Sequence, residues 1–367
     1  MFHDVVEFSS RIVLNAKRNL GTAYMLAKEK RKATILDVAK HAGVSKSAVS
    51  KVLTNAYGVS PELRGKVQRS VLALNYRPNL GARSLRGSTY TLGVILPDVG
   101  NPIFTKFLTG LNAAVEDTRY SIVVGVSQLS ERIERRVVDT LLDRKVDGIV
   151  YVAKRAFNDE LERLAQAIPM VVLGHHSPEA RNYDTVNTDD RLGAEMIVGH
   201  LVRSGRRNIA MMSIAVEPEG KLSVAYERER GYESAMRKHG LADRIRIVRS
   251  GVHFVAYEAS ARDMLSDDGR PDAIFCWADP AALAVISAVG RMGMQVGRDI
   301  AVAGFDNVEL GAYFQNSLTS IEQNPEWMGK KAGLLLLDRI GGRVRSIHVL
   351  NDPVLVARSS SGTRPIG

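Results

Sequence analysis

Lys46, Ser47, Ser50 and Lys51 fall on one side of a short helical pattern, and they combine long cations with short hydroxyls. Side chains of these types reach phosphate oxygens and base edges in the grooves of a nucleic acid. A second set lies far along the chain. Asp189, Asp279 and Asp306 stand at the ends of strand patterns and Arg228 sits on a helical pattern just before Gly231. Together they describe a polar ring, although each alone is commonly a helix cap or a surface charge. No constellation for catalysis accompanies them. "PDVGNPIF", after the first apolar run of the body, has neither the dinucleotide pattern nor the Lys-Ser/Thr ending of a phosphate loop. No nucleophile elbow and no metal-spaced His or Cys cluster is present, and the adjacent His175 and His176 point to opposite faces of an extended segment. An enzyme is therefore not expected, and no cofactor is.

The first set is carried by "TILDVAKHAGVSKSAVSKVLTN", Thr34 to Asn55. Leu36, Val38, Ala39 and Ala42 have helical spacing, Gly43 interrupts it, and Val44, Ala48, Val49, Val52 and Leu53 resume it, so two short helices meet at a sharp turn. Thr34 and Ser45 are placed to cap them, with Asp37 favourable to the first helix's dipole. Val59, Leu63, Val67, Val71 and Leu74 predict a third helix, with Ser60 as cap and Pro61 at the first helical position. Small, basic "LGARSLRGSTY", 80–90, has almost nothing to bury and reads as a hinge. Charge follows this division. The chain of 367 residues carries a net +10, yet residues 1–86 hold 16 Lys and Arg against 5 Asp and Glu while the remainder is nearly neutral. A basic head on a neutral body points to a polyanion touched by the head alone. Residues 1–31 suggest no fold of their own and are expected to be a disordered basic extension.

From Thr91 onward the pattern alternates between strands and helices. "TLGVILP" (91–97), "SIVVGV" (121–126), "VDGIVYV" (146–152) and "PMVVLG" (169–174) read as buried strands, and the same beat restarts after about residue 190 with "NIAMMS" (208–213), "RIRIV" (244–248), "DAIFCW" (272–277) and "DIAVAGF" (299–305). Two α/β lobes in series imply a ligand cleft at the carboxyl ends of their strands. The lone Cys276 excludes an intrachain disulfide and sits in an apolar run as a core residue. No stretch approaches the roughly 18 apolar residues of a membrane span, so a cytoplasmic protein is expected.

"TILDVAKHAGVSKSAVSKVL", "YRPNLGARSLR", "LGVILPDVGNPIF", "ERERGYESAM" and "AVAGFDNVELG", in this order, resemble the lactose-repressor family of bacterial transcription regulators over Thr34 to about Ser361. The resemblance implies a small all-α helix-turn-helix DNA-binding domain (32–79), the hinge (80–90), and an α/β two-lobed periplasmic-binding-protein-like (Rossmann-like) effector and dimerisation domain (91–361), followed by a tail (362–367). It implies a homodimer on a palindromic operator, released or tightened by a small effector, and no membrane partner. Lys46 and Ser47 are then expected to read bases, with Lys51 one turn on. Thr34, Ser45, Ser50, Asn55, Tyr76 and Arg77 complete the DNA face. Leu85 matches a hinge leucine that wedges into the minor groove, flanked by Ala82, Arg83 and Arg86. Ala48 replaces a usual threonine and Lys51 a common arginine, so the operator sequence is its own.

In the cleft, Arg228, Asp306 and Asp189 match effector-holding positions suited to vicinal hydroxyls, with Phe104 as an apolar wall. Ala278 stands where an asparagine is common and His175 where an aspartate is frequent. The expected effector is a sugar or polyol, and with these exchanges an acidic or phosphorylated sugar, its charge met by His175 and Arg228, gains ground. The expected role is repression of carbohydrate uptake or breakdown genes. The alternatives are activation by the same fold and, from a different class, a solute-binding protein.

Overall fold

The computed structural model describes residues 33–53, 56–76, 87–152, 158–215, 223–313 and 317–362. Asn55, Arg77, Ala82, Arg83, Leu85 and Arg86, the extension 1–31 and most of the tail lie outside them. The chain divides into two compact units, Met1–Gly87 and Ser88–Gly367.

In the first unit, α1 (Ile35–Ala42), α2 (Lys46–Leu53) and α3 (Pro61–Ala73) close around Val38, Val49, Val52 and Val67. Local chemistry sets both ends of α1 and the starts of α2 and α3. Thr34 and Asp37 form a reciprocal capping box, and Gly43 takes the left-handed conformation (φ 66°) that ends α1 and turns the chain into α2. The Ser45 hydroxyl accepts the Ala48 N–H at 3.1 Å, and that of Ser60 accepts Leu63 N–H at 3.2 Å, with Pro61 directly inside α3.

The second unit begins with β1 (Thr91–Leu96), α4 (Ile103–Val115), β2 (Ser121–Val126), α5 (Glu131–Asp143), β3 (Gly148–Val152), α6 (Asn158–Ala167), β4 (Met170–Leu173) and β5 (Asp184–Thr188). It continues through α7 (Asp190–Arg203), β6 (Ile209–Ile214), α8 (Val224–Lys238), β7 (Arg246–Ser250), α9 (Phe254–Ser266), β8 (Ala273–Cys276), α10 (Asp279–Arg291), β9 (Ala301–Ala303) and α11 (Glu309–Tyr313). Last come β10 (Ser320–Glu322), α12 (Pro325–Ile340), β11 (His348–Asn351) and β12 (Val354–Val356). One parallel sheet runs β11-β5-β4-β3-β1-β2 and another β7-β6-β8-β9, while β10 and β12 pair antiparallel. Buried apolar residues cover both faces of each sheet, as an all-parallel sheet requires.

The lobes are not simply in series. After β10 the chain returns to the first lobe, adds α12 and the edge strand β11, and then goes back to pair β12 with β10. Three segments therefore cross between lobes, at Asp189, at Gln323 and Asn324, and at Asp352 and Pro353. Hydrogen bonds stitch them together: Asp189 N–H donates to the Asn351 carbonyl at 2.9 Å, and the Asn351 amide donates to the Gln323 carbonyl at 2.8 Å. Within the first lobe, α4 and α12 pack backbone to backbone. A Cβ on Gly110 would strike the Glu326 carbonyl, and one on Gly329 the Phe107 carbonyl.

Candidate functional site

On α2, Lys46, Ser47 and Lys51 are exposed, while Val49 and Val52 on the opposite side fill the core. The capping Ser45 also lies 2.8 Å from the Ser47 hydroxyl, so it both starts the helix and orients the neighbour expected to read bases. Ser50 and Tyr76 are half-buried, and Thr34 is committed to its capping box. The fully exposed Tyr57, a few residues beyond α2, is a surface aromatic that helical periodicity gave no reason to single out.

In the second unit, a cavity of about 1080 Å³ opens between the lobes at the carboxyl ends of their strands. Phe104, Arg228, Ala278 and Asp306 of the expected set line it. Asp189 and His175 do not. Asp189 accepts the Leu192 N–H at 2.9 Å as the cap of α7, so its carboxylate is spent on the helix start. The residue that faces the cleft is the next one, Asp190. His175 is buried beside the Tyr183 ring, and burial, helped by neighbouring His176, lowers it to about 4. It is therefore a neutral packing residue and no counter-charge for an anion.

Arg228 is the centre of the site, and its surroundings follow from the sequence around it. Gly231, one turn on in α8, brings that helix against α7; a Cβ there would meet the Arg191 carbonyl and Ala194. The guanidinium is thereby laid on the Phe305 ring, 3.5 Å from its centroid, and its Nε donates to Asp190 Oδ1 at 2.7 Å. A second nitrogen donates to the Trp277 carbonyl and lies 3.8 Å from Asp306. Asp306 accepts from the Gln323 amide at 2.6 Å and from the Asn101 amide, across the cleft, at 2.7 Å. His176 completes the chain with Nε2 2.8 Å from Asp190.

Electrostatics follow burial first. Desolvation pushes the Asp306 carboxyl up to about 6 against the pull of Arg228 and its amide donors. For Asp190, desolvation also opposes the charge, but Arg228 and His176 outweigh it and hold the carboxyl below the usual range. Burial disfavours the His176 imidazolium, yet Asp190 overcomes it and raises the ring above 6.5. A raised imidazole stabilises the fold below its unfolded value and loses that contribution as pH rises through the folded one. His176→Gln is thus expected to cost about 1.5–3 kcal/mol near pH 5.5 and distinctly less at pH 9. Urea unfolding at both pH values measures this, and equal costs would discard the His176–Asp190 ion pair.

Asp190, Asn101, Gln323 and His176 were not expected from sequence. Asp190 has a signal, being the second of two consecutive aspartates at a helix start; the amides of Asn101 and Gln323 have none without the fold. Among the described residues no group of His, Cys, Asp and Glu is arranged to hold a metal ion, and no helix is long and apolar enough to cross a membrane.

A helix-turn-helix unit and a two-lobed body with a polar cleft, carried on one chain, define a ligand-controlled DNA-binding regulator. Residues 34–79 match the bacterial regulatory proteins of the lacI family, and residues 198–361 match a periplasmic binding protein-like domain. The repressor CytR of Escherichia coli K12 is 30% identical over 342 residues, covering 92% of this chain and 99% of that protein. The ribose operon repressor of Haemophilus influenzae is 30% identical over 332 residues, 89% of this chain and 98% of its own. The lac repressor dimer bound to operator and the anti-inducer ONPF superposes with a TM-score of 0.76 at 24% identity, covering 91% of this chain and all of that one. The chain belongs to the lacI family of bacterial regulatory proteins.

Proposed function

We propose that this regulator binds a palindromic operator as a homodimer and represses genes for uptake or breakdown of a carbohydrate-like compound until a neutral, hydroxylated ligand enters the cleft. The observation that carries this reading is the buried Arg228, held between Asp190 and Asp306 on the wall of the interlobe cavity. A guanidinium already matched by two carboxylates has no charge to spare for an anion, but its neighbours still offer donors and acceptors to hydroxyls. The described lining supports the same conclusion, with Asp98, Glu134, Asp190 and Asp306 against the Arg228 guanidinium, while Glu131 and Glu160 pair with Arg135. An acidic or phosphorylated sugar is thus disfavoured relative to a neutral one. Phe104, Phe107, Tyr257 and Trp277 supply apolar faces on which a sugar ring or an attached aromatic group can rest.

The relatives agree in kind. A ribose operon repressor is among them, and solved structures of similar fold hold cellobiose and ribose. On DNA, Lys46, Ser47 and Lys51 read the major groove, and Leu85, with Ala82, Arg83 and Arg86, forms the minor-groove wedge. Coupling is thermodynamic: a 100-fold difference in ligand affinity between the two lobe arrangements is worth about 2.7 kcal/mol.

Selection of bound DNA from a random library with purified protein, repeated with pools of neutral sugars, ribonucleosides, acidic sugars and sugar phosphates, tests the whole. A palindromic motif whose occupancy changes with a neutral pool is expected. Sequence-independent, salt-sensitive binding would remove the operator, and a response confined to an anionic pool would remove the neutral ligand.

A further inference from the structure

Asn101 reaches across the cleft, and its orientation is fixed by its own loop. The Gly100 and Asn101 N–H groups donate to Asp98 Oδ1 at 2.7 and 3.0 Å. The Asn101 side-chain oxygen accepts the Ile103 N–H at 3.1 Å at the start of α4. With the oxygen so occupied, the amide NH₂ must face outward, and it donates to Asp306 Oδ2 at 2.7 Å. The receiving carboxylate is equally fixed. Asp306 has φ 112°, a conformation that a residue with a side chain rarely adopts, and its N–H is tied to the Ile321 carbonyl at 3.0 Å. Its other oxygen takes the Gln323 amide. Both oxygens of this buried carboxylate thus face an amide donor supplied by the protein itself.

We propose that Asn101 is a specificity-determining latch: a competing donor, built into the first lobe, that a ligand must replace at Asp306 with a hydrogen-bond donor of its own. The inference rests on the reading of the cleft as a site for hydroxylated ligands, and it adds a rule to it. A hydroxyl placed at Asp306 Oδ2 exchanges one hydrogen bond for another. An ether oxygen or a deoxy carbon at the same place leaves the buried carboxylate, or the displaced amide, without a partner, and that is where discrimination is largest. The latch therefore lowers affinity for every ligand and makes one hydroxyl obligatory. It also ties the two lobes together at the cleft edge.

Asn101→Ser tests this, because serine keeps an oxygen for the start of α4 but is too short to reach Asp306. Calorimetry uses D-ribose, D-glucose, cellobiose and adenosine, each beside its monodeoxy or O-methyl analogues. For a sugar that binds the parent protein, affinity is expected to rise about 5–10-fold, or about 1–1.4 kcal/mol, in the variant, and the penalty of one analogue to shrink. Unchanged or weaker binding would overturn the latch. A second measurement needs no ligand. Cysteines introduced at exposed Glu116 and Lys238, one on each lobe, accept a dye pair while native Cys276 stays buried. Without ligand, Asn101→Ser is expected to lengthen or broaden the distance distribution, and identical distributions would overturn the proposal. Failure of all four ligands to bind the parent protein, with the distance change intact, would fault the ligand class and leave the latch standing.

Discussion

Arg228→Ala abolishes the response of operator binding to ligand and lowers the stability of the two-lobed unit by about 3–5 kcal/mol, because it removes one side of a buried charge cluster and leaves Asp190 and Asp306 facing each other. Operator affinity without ligand is retained, since the head has its own core around Val38, Val49 and Val67. Anisotropy on labelled operator, with and without ligand, separates the two effects, and thermal unfolding reports the second. A variant that still releases operator on ligand would take Arg228 out of the response. Adding Asp190→Ala removes one orphaned charge, so the double variant regains part of the lost stability. Ligand binding does not return with it, because the guanidinium is still missing.

Asp184 carries the other large effect, far from the cleft. It is fully buried, with Arg339 Nε at 3.0 Å, Arg343 at 2.5 Å and the Ile347 N–H at 2.8 Å. These partners come from α12 and the approach to β11, so one carboxylate on β5 fastens the returning segment to the first lobe. Asp184→Ala leaves two arginines without their common anion and is expected to cost about 3–5 kcal/mol, on the order of 10 °C in Tm. Calorimetric unfolding checks this. A loss below about 1 kcal/mol would mean that solvent reaches the pair and screens it.

The strands with continuous apolar runs were legible in the sequence to within two residues, "SIVVGV" over its whole length. β5 was not, because "DTVNT" is mostly polar; it is buried all the same, since Asp184 meets arginines and the Asn187 amide bridges the His175 carbonyl and the Gly174 N–H. "RIRIV" was placed two residues early, because a 3₁₀ turn occupies 242–244 and the strand is Arg246–Ser250. Strand and helix alternation also cannot say to which sheet a helix returns, so α12 and β11 escaped the reading of two lobes in series. In the cleft, Arg228 and Asp306 were legible because charged residues at strand ends and before a helical glycine stand out. Asp189 and Asp190 differ only in which one caps the helix, and a hundred degrees of helical rotation decides which carboxylate meets the guanidinium.

The return of the chain to its first lobe bears on how the protein is made. β5 waits for its edge partner β11 until roughly 160 further residues have been synthesised, and α4 presents its bare Gly110 face for longer still, until α12 follows about 210 residues later. At about 5–20 residues per second, that is roughly 10–40 s during which a nascent chain offers an open strand edge and an uncovered apolar helix. The second lobe, also short of β10 and β12, is unfinished over the same interval. Emergence from the ribosome is therefore the period when this regulator most needs a chaperone.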